Sequence, residues 1–370
     1  MVVGAGVSGA FVAEALSDAG FEVMIVDRRD GPLRGSTPAS TALLQYEIDT
    51  PLSVLSLQIG VTDATRAWRR SRLSVESIAA RTRELAIECD LERRDALYLA
   101  GSELDAKGLR RECDARRLAG FETRYLGRKA LLRRFGISRE AALLGYDNLA
   151  ADPRRLAAGY LRAAIARGAK LHTPCDIMNV EARPRGVTAT TADGHEIRCR
   201  TLVFATGYEL PKQVPARGHR IVSTFALATR PQKRLVWPER CFIWEASEPY
   251  LYLRATKEGR VICGGEDEEF SDEEKRDVLL PRKIDALRRK LTRLLPDLDT
   301  EPDFAWCGSF GASGTGLPSI GEIPGMANCW AVLGYGGNGI THSRIAAEII
   351  RAGLIGATDP DADLFAFEKE

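Results

Sequence analysis

A glycine turn at the start of the chain constrains the fold more than any other feature. Residues Val2-Val3-Gly4-Ala5-Gly6-Val7-Ser8-Gly9 read as the end of a strand, a tight turn and the first turn of a helix. Gly4, Gly6 and Gly9 fit the spacing G-x-G-x-x-G, and Ala13 adds a small residue one helical turn on. Each glycine has a mechanical reason: the first permits the turn, the second lets backbone approach a pyrophosphate, and the third lets helix and strand pack closely. The helix start at Val7 and Ser8 then offers N–H groups and a partial positive charge to phosphates.

The surrounding sequence turns this spacing into a βαβ unit. Phe11 to Ala19 has helix-forming composition, Gly20 makes a stop, and Phe21 to Val26 reads as a strand. Asp27 ends that strand roughly 20 residues past the glycines, where an acid accepts bonds from a ribose. A dinucleotide site is therefore expected. Only Met1, Val2 and Val3 precede the turn, which leaves two readings open: a truncated start or an unusually short strand. The N-terminus enters the fold directly, so no signal peptide is expected.

Composition narrows the class. A chain of 370 residues is long enough for two domains or one large split one. With 45% hydrophobic and 28% charged residues it reads as soluble and globular. A net charge of +1 gives no global field toward nucleic acid or an anionic membrane. No apolar run reaches the roughly 18 residues a transmembrane helix needs. The eight cysteines are scattered without a C-x-x-C pair, and the four histidines are scattered too, so a metal site is not expected. Free thiols suit a cytoplasmic location.

Further along, residues 34–46 form a loop dense in small hydroxyl residues, able to wrap phosphate and ribityl oxygens. Thr62 to Glu88 reads as a long helix whose Arg66, Arg69, Arg70 and Arg72 accompany Trp68. Acidic residues balance that run, and we read it as a solvated face, not a nucleic-acid surface. A short strand is expected at Asp95 to Ala100, helices at Leu104 to Leu118 and Arg128 to Phe135, and irregular chain at Ala141 to Ala151. Asp152-Pro153 is an N-cap followed by proline at the first helical position. That helix runs to about Arg167, and Ala169 to Thr173 is a strand. Short β segments follow, with a hairpin turn at Asp193-Gly194. Thr201 to Tyr208 ends a buried, central parallel strand on small residues. Residues 211–240 are Pro- and Arg-rich with one strand-like piece at Ile221 to Thr229. Strands then fall at Cys241–Glu245, Tyr250–Ala255 and Val261–Gly264, followed by a charged helix from Ser271 to Leu295.

Near the end, Gly334, Gly336 and Gly339 repeat the G-x-G-x-x-G spacing before a helix expected from about Thr341 to Ala352. A second dinucleotide site is one reading, but no strand and no acid in the right context follow. The helix start can instead face another part of the first ligand, where N–H donors would stabilise developing negative charge. A purely packing role for these glycines is the third reading.

Four pieces occur in order: G-A-G-V-S-G with Asp27; R-G-S-T-P-A-S-T-A-L-L-Q-Y-E; A-T-G-Y; and G-L-P-S-I-G followed by L-G-Y-G-G-N-G-I-T-H-S. In these the chain resembles the D-amino-acid oxidase-like family of FAD-dependent oxidoreductases, near the glycine oxidase, sarcosine oxidase and D-amino-acid dehydrogenase group. The resemblance spans nearly the whole chain. It implies an α/β fold: a Rossmann-like FAD domain assembled from 1–50, 150–212 and 303–370, and a substrate domain with a mixed or antiparallel sheet from 51–149 and 213–302. It implies non-covalent FAD. Asp27 would bind the adenosine ribose, with Arg28 and Arg29 beside it. Ser36, Thr37, Ser40, Thr41 and Leu44 would wrap the diphosphate, ribityl chain and ring, and Ile177 would present its backbone to adenine. Ala205, Thr206 and Gly207 would line the pyrophosphate turn, and Gly336, Gly337, Asn338, Gly339 and Ile340 the flavin pyrimidine edge.

One departure bears on substrate. Members of the family that act on amino acids often carry W-x-G-x-R, whose Arg grips the substrate carboxylate; here the run is Trp306-Cys307-Gly308-Ser309-Phe310. Thr315 stands where Asp is common. A bidentate Arg is not replaced by an aromatic ring, which counts against a plain α-amino acid. Strand alternation puts Tyr250, Tyr252 and Arg254 on one face, with Arg254 a candidate anion holder. Gln45 and Tyr46 follow the flavin-wrapping loop. His342 is read as a surface or helix-capping residue. Oxidation of a small amine or amino-acid-like substrate by hydride transfer to flavin N5 is the expected activity, with oxygen or a respiratory carrier as acceptor. A dehydrogenase of a hydroxy acid or other non-amine, or a non-catalytic FAD-binding protein, stays open, as does oligomeric state.

Overall fold

The computed structural model describes residues 1–234 and 237–367. Residues 235–236, in the Pro- and Arg-rich stretch, and 368–370, at the end of the last cofactor-domain interval, lie outside the described residues.

The valines before the glycine turn pair on both sides. Val2–Val3 lies parallel to Met24–Val26 and to Leu202–Phe204, at the centre of a six-stranded sheet. Lys170–His172 forms one edge; Cys329–Leu333 and the antiparallel Ser319–Glu322 complete the other. Period-two alternation divides the strands between two cores. Val2, Ile25, Val203 and Val332 face helices, whereas Val3, Val26, Phe204 and Leu333 face Val180 and Val187 of an antiparallel three-stranded sheet. Both faces are covered, which is why these strands read as continuous apolar runs. The strand expected from Phe21 pairs only from Met24.

The helix Val7–Asp18 packs between the helices Pro153–Ala166 and Gly339–Leu354. Every residue from Ser8 to Ser17 is buried, including Glu14. Glu14 is tolerated there because Arg81 and Arg167 converge on its carboxylate. Asp152 caps the helix Pro153–Ala166 by accepting the Arg155 N–H at 2.8 Å. The last helix begins at Gly339, before the expected Thr341, and runs through Gly353. A Cβ on Gly353 would lie 2.4 Å from the Trp330 ring, so this glycine serves packing, not termination.

A nine-stranded mixed sheet forms the second layer. It includes Leu43–Leu44 and the long strand Pro302–Ser313, so the intervals assigned above to the cofactor domain contribute strands to both large sheets. The helix Glu273–Leu294 covers one face, packing Ile284, Leu287 and Leu291 on Phe225, Leu227, Leu251 and Leu253. The alternate residues, Thr224 and Tyr252 among them, point into a cavity toward the six-stranded sheet.

Three readings are corrected here. Ala141–Ala150 is a regular strand, not irregular chain. Its residues are buried on both faces, which erases alternation, and the register shifts near Asp147, where φ is +67°. The helix Val61–Glu84 is a solvated arginine face only in part: Arg69 is exposed, but Arg70 is buried. Trp68 is fully buried, Arg70 pairs with Glu348 and Asp359, and Arg66 pairs with Asp63, Asp361 and Asp363. His342 is not on the surface: it is buried at the base of the last helix.

Candidate active site

The glycine turn is built by close approach. Gly4 sits at φ +108°, and a Cβ there would lie 2.4 Å from the Ala205 carbonyl. A Cβ on Gly9 would lie 1.8 Å from the Gly4 carbonyl, which is the helix–strand contact its position demands. Asp27 fastens the turn from the next strand. Its two oxygens accept the Ala5 N–H at 2.8 Å and the Arg29 N–H at 2.9 Å. Thr37 reaches in from the hydroxyl-rich loop to accept the Val7 N–H at 3.0 Å.

Around this turn opens a cavity lined by Gly4, Gly6, Val7, Ser8, Asp27, Arg28, Arg29, Ser36 and Thr37, with Ile177, Ala205, Thr206 and Gly207 opposite. Glu209 spans Arg28 and Arg29 at its edge. A second cavity shares Val7, Ser8, Ser36, Thr37 and Gly207 with the first, so the two run end to end. It continues past Ser40 and Thr41 to Gly336, Gly337, Asn338, Gly339 and Ile340. The two glycine turns therefore face one elongated space from opposite ends, and Gly334–Gly339 is not a separate dinucleotide site.

The far wall carries Gln45, Tyr250 and Tyr252 from the sequence reading, together with Glu47, Asp49, Thr224, Trp244 and Phe310. Asp49 accepts the Gly337 N–H at 2.7 Å. It is open to the cavity yet enclosed by protein, and this burial raises its carboxyl above the usual range. Burial raises the Glu47 carboxyl too, against the opposing pull of Arg116. The Tyr250 hydroxyl donates to Asp267 at 2.9 Å. Burial pushes Asp267 up to about 6, and the neighbouring charges of Glu248 and Asp49 push the same way.

Four candidates lie off the cavity. Gly9 packs on Gly4, as described. Leu44 and Tyr46 are each 1% exposed and enter the core, Tyr46 stacking on Phe121. Chain that runs extended alternates its side chains: Leu44, Tyr46 and Ile48 turn to the core, and Gln45, Glu47 and Asp49 turn to the cavity. Consecutive residues cannot both see substrate, and the alternation E-I-D after Gln45 was the signal for the two missed acids. Arg254 shares a face with Tyr252, but two residues is about 7 Å along a strand. That displacement takes it past the cavity end, toward Glu92, Arg94, Asp152 and Glu258. Burial there lowers its guanidinium to about 10.

The comparisons define the class. The family model described as FAD-dependent oxidoreductase matches residues 1–352, and the chain belongs to that family. Gamma-glutamylputrescine oxidoreductase of Escherichia coli (strain K12) is 24% identical over 379 residues, covering 98% of this chain and 84% of that protein. Glycine oxidase from Geobacillus kaustophilus superposes with a TM-score of 0.82 at 19% identity, covering 100% of this chain and 98% of the other. L-alpha-glycerophosphate oxidase from Mycoplasma pneumoniae with FAD bound gives 0.79 at 14% identity, covering 100% and 98%. The residues present fit FAD. An elongated cavity joins a ribose-type acid to a helix start, and a Cβ on Gly6 would press on Thr37 Oγ1 at 3.2 Å.

Proposed function

We propose that the chain oxidises a small amine or amino-acid-like substrate with non-covalently held FAD. The observation that carries this is the continuity of the two cavities. Asp27 and Ile177 would hold the adenosine end, Gly6 and Thr206 the diphosphate, and the Ser40–Thr41 loop with Gly336–Ile340 the flavin, all of them lining the two cavities. Substrate enters the remaining space against Trp244, Tyr250, Tyr252 and Phe310. The chemistry that flavin supplies is two-electron acceptance at N5 of a hydride from the carbon beside nitrogen. The protein orients the substrate and excludes water; no nucleophile is required. What supports an amine is the kinship with gamma-glutamylputrescine oxidoreductase and the likeness in fold to glycine oxidase. Non-covalent retention fits a flavin-end cavity with no Cys or His among the described residues lining it.

On this reading 1–50, 150–212 and 303–370 form the cofactor domain and 51–149 and 213–302 the substrate domain, with Gln45, Glu47, Asp49 and Phe310 of the cofactor intervals completing the substrate wall. Eight free cysteines suit the cytoplasm, and no helix among the described residues is long and apolar enough to cross a membrane. Oxygen or a respiratory carrier reoxidises the flavin. A hydroxy-acid or other non-amine substrate is the second reading, favoured by the shared fold of L-alpha-glycerophosphate oxidase. Anaerobic titration of the yellow holoenzyme with amines, amino acids and hydroxy acids separates the two by which class bleaches the flavin. If none does, catalysis on these classes is ruled out.

A further inference from the structure

The substrate wall has an unbalanced charge. Among the described residues lining the flavin-end cavity there is no Arg, Lys or His, but Glu47 and Asp49 are both there. Among the described residues Asp49 has the Gly337 N–H as its one hydrogen-bond partner. Behind the wall, Asp267 accepts from Tyr250 through one oxygen, and the Thr224 hydroxyl lies beside it as a second donor. Asp49 lies close enough that its charge bears on both Tyr250 and Asp267. Glu47 is 2% exposed; Asn148 reaches one of its oxygens at 3.4 Å, and the Gln45 amide lies beside its carboxylate.

Two cations approach this wall without lining the cavity. Arg116, the cation felt by Glu47, pairs with Glu112 at 2.7 Å. Arg276 reaches the wall only through Ser309 and sits against Asp277. Phe310 lines the wall with an aromatic ring and no charge. Tyr250, Tyr252, Trp244 and Phe310 supply aromatic faces, which attract cations. Such a wall repels a carboxylate and leaves its own carboxylates to be matched by the ligand.

We infer that the substrate carries an ammonium group seated against Asp49, Glu47 and Tyr250, with Asp267 behind them, so that its class is an alkyl diamine or polyamine and not an α-amino acid. The inference rests on the amine-oxidation reading. The nitrogen at the reacting carbon must be uncharged to release its electron pair to the forming C=N bond as hydride leaves. The positive charge that the wall complements is therefore a second one. A substrate with two amines separated by a short alkyl chain supplies both, one neutral at the flavin and one charged at the wall.

The test compares 1,4-diaminobutane, butylamine and 4-aminobutyrate on the holoenzyme. Binding is read by calorimetry and by perturbation of the oxidised flavin spectrum, and turnover by anaerobic flavin reduction. The diamine is expected to bind at least about tenfold tighter than the monoamine, the scale of a hydrogen bond to a charged group, and the amino acid weakest. Asp267→Asn and Asp49→Asn are each expected to erase most of that preference, weakening the diamine more than the monoamine. Phe310→Arg, which adds a cation to the wall, should weaken the diamine and strengthen 4-aminobutyrate. Equal binding of diamine and monoamine, or a preference untouched by all three substitutions, overturns the inference. If butylamine reduces the flavin and the diamine has no advantage, the amine-oxidation reading stands alone. If the diamine binds preferentially but no amine reduces the flavin, the cation seat stands and the proposed activity falls.

Discussion

The Asp27 carboxylate accepts the backbone N–H of Ala5 at 2.8 Å, across 22 residues of sequence. Asp27 thus belongs to the glycine turn before it meets any ribose. Its second oxygen takes the Arg29 N–H, so one buried side chain fixes the ends of two neighbouring strands.

Asp27→Ala should therefore cost stability as well as cofactor. Losing bonds from a charged, buried acceptor is expected to destabilise the flavin-free protein by about 1–3 kcal/mol. Denaturant unfolding of the apoprotein reads this directly, and flavin dissociation gives the cofactor part. An unchanged apoprotein midpoint would mean that Asp27 serves the ligand alone.

Gly9 makes a packing contact that no other residue can make. With a Cβ placed 1.8 Å from the Gly4 carbonyl, Gly9→Ala forces the helix Val7–Asp18 away from the turn. A cost at or above the ~1–3 kcal/mol typical of overpacking is expected. Flavin content should fall with it, because the helix start moves off the diphosphate. Gly20→Ala is the control: at φ +85° it is strained, but a Cβ there meets nothing within 4 Å. It should lower stability modestly and leave flavin content alone.

Arg254→Ala should leave KM and kcat unchanged. Arg254 lies beyond the cavity end, and its guanidinium is half-buried near Arg94 with its Nε unpartnered. Steady-state kinetics on any accepted substrate settles this: a rise in KM would bring Arg254 back to the substrate.

These positions show what a sequence can and cannot carry. The βαβ unit was legible because its glycines answer local backbone geometry, and Asp152-Pro153 and the buried Leu202–Phe204 strand because caps and apolar runs are local signals. Tyr46 and Arg254 were misplaced for geometric reasons. Alternation gives a face but neither its direction nor its distance from the cofactor. Asp267 was invisible: only the pairing of Leu251–Ala255 with Val261–Glu268 brings it to Tyr250. Ala141–Ala150 escaped because burial on both faces removes the pattern that marks a strand.

His342 is a buried neutral imidazole whose Nδ1–H donates to the Tyr335 carbonyl at 2.9 Å, spanning the Gly336–Ile340 turn. Burial lowers its pKa to about 4 from the ordinary 6.5, against a smaller opposite effect of the Tyr335 bond. With the folded pKa depressed, the unfolded chain takes up the proton first as pH falls. The stability is full above about 6.5, declines between about 6.5 and 4, and levels below that. The shift corresponds to roughly 3–3.5 kcal/mol. Denaturant unfolding at a series of pH values should show this decline in the native protein and a flatter profile in His342→Gln. Because the segment His342 ties down is the turn that would face the flavin, FAD release, read by its fluorescence, should steepen over the same window in the native protein. A His342→Gln profile as steep as the native one would assign the acid sensitivity to other groups.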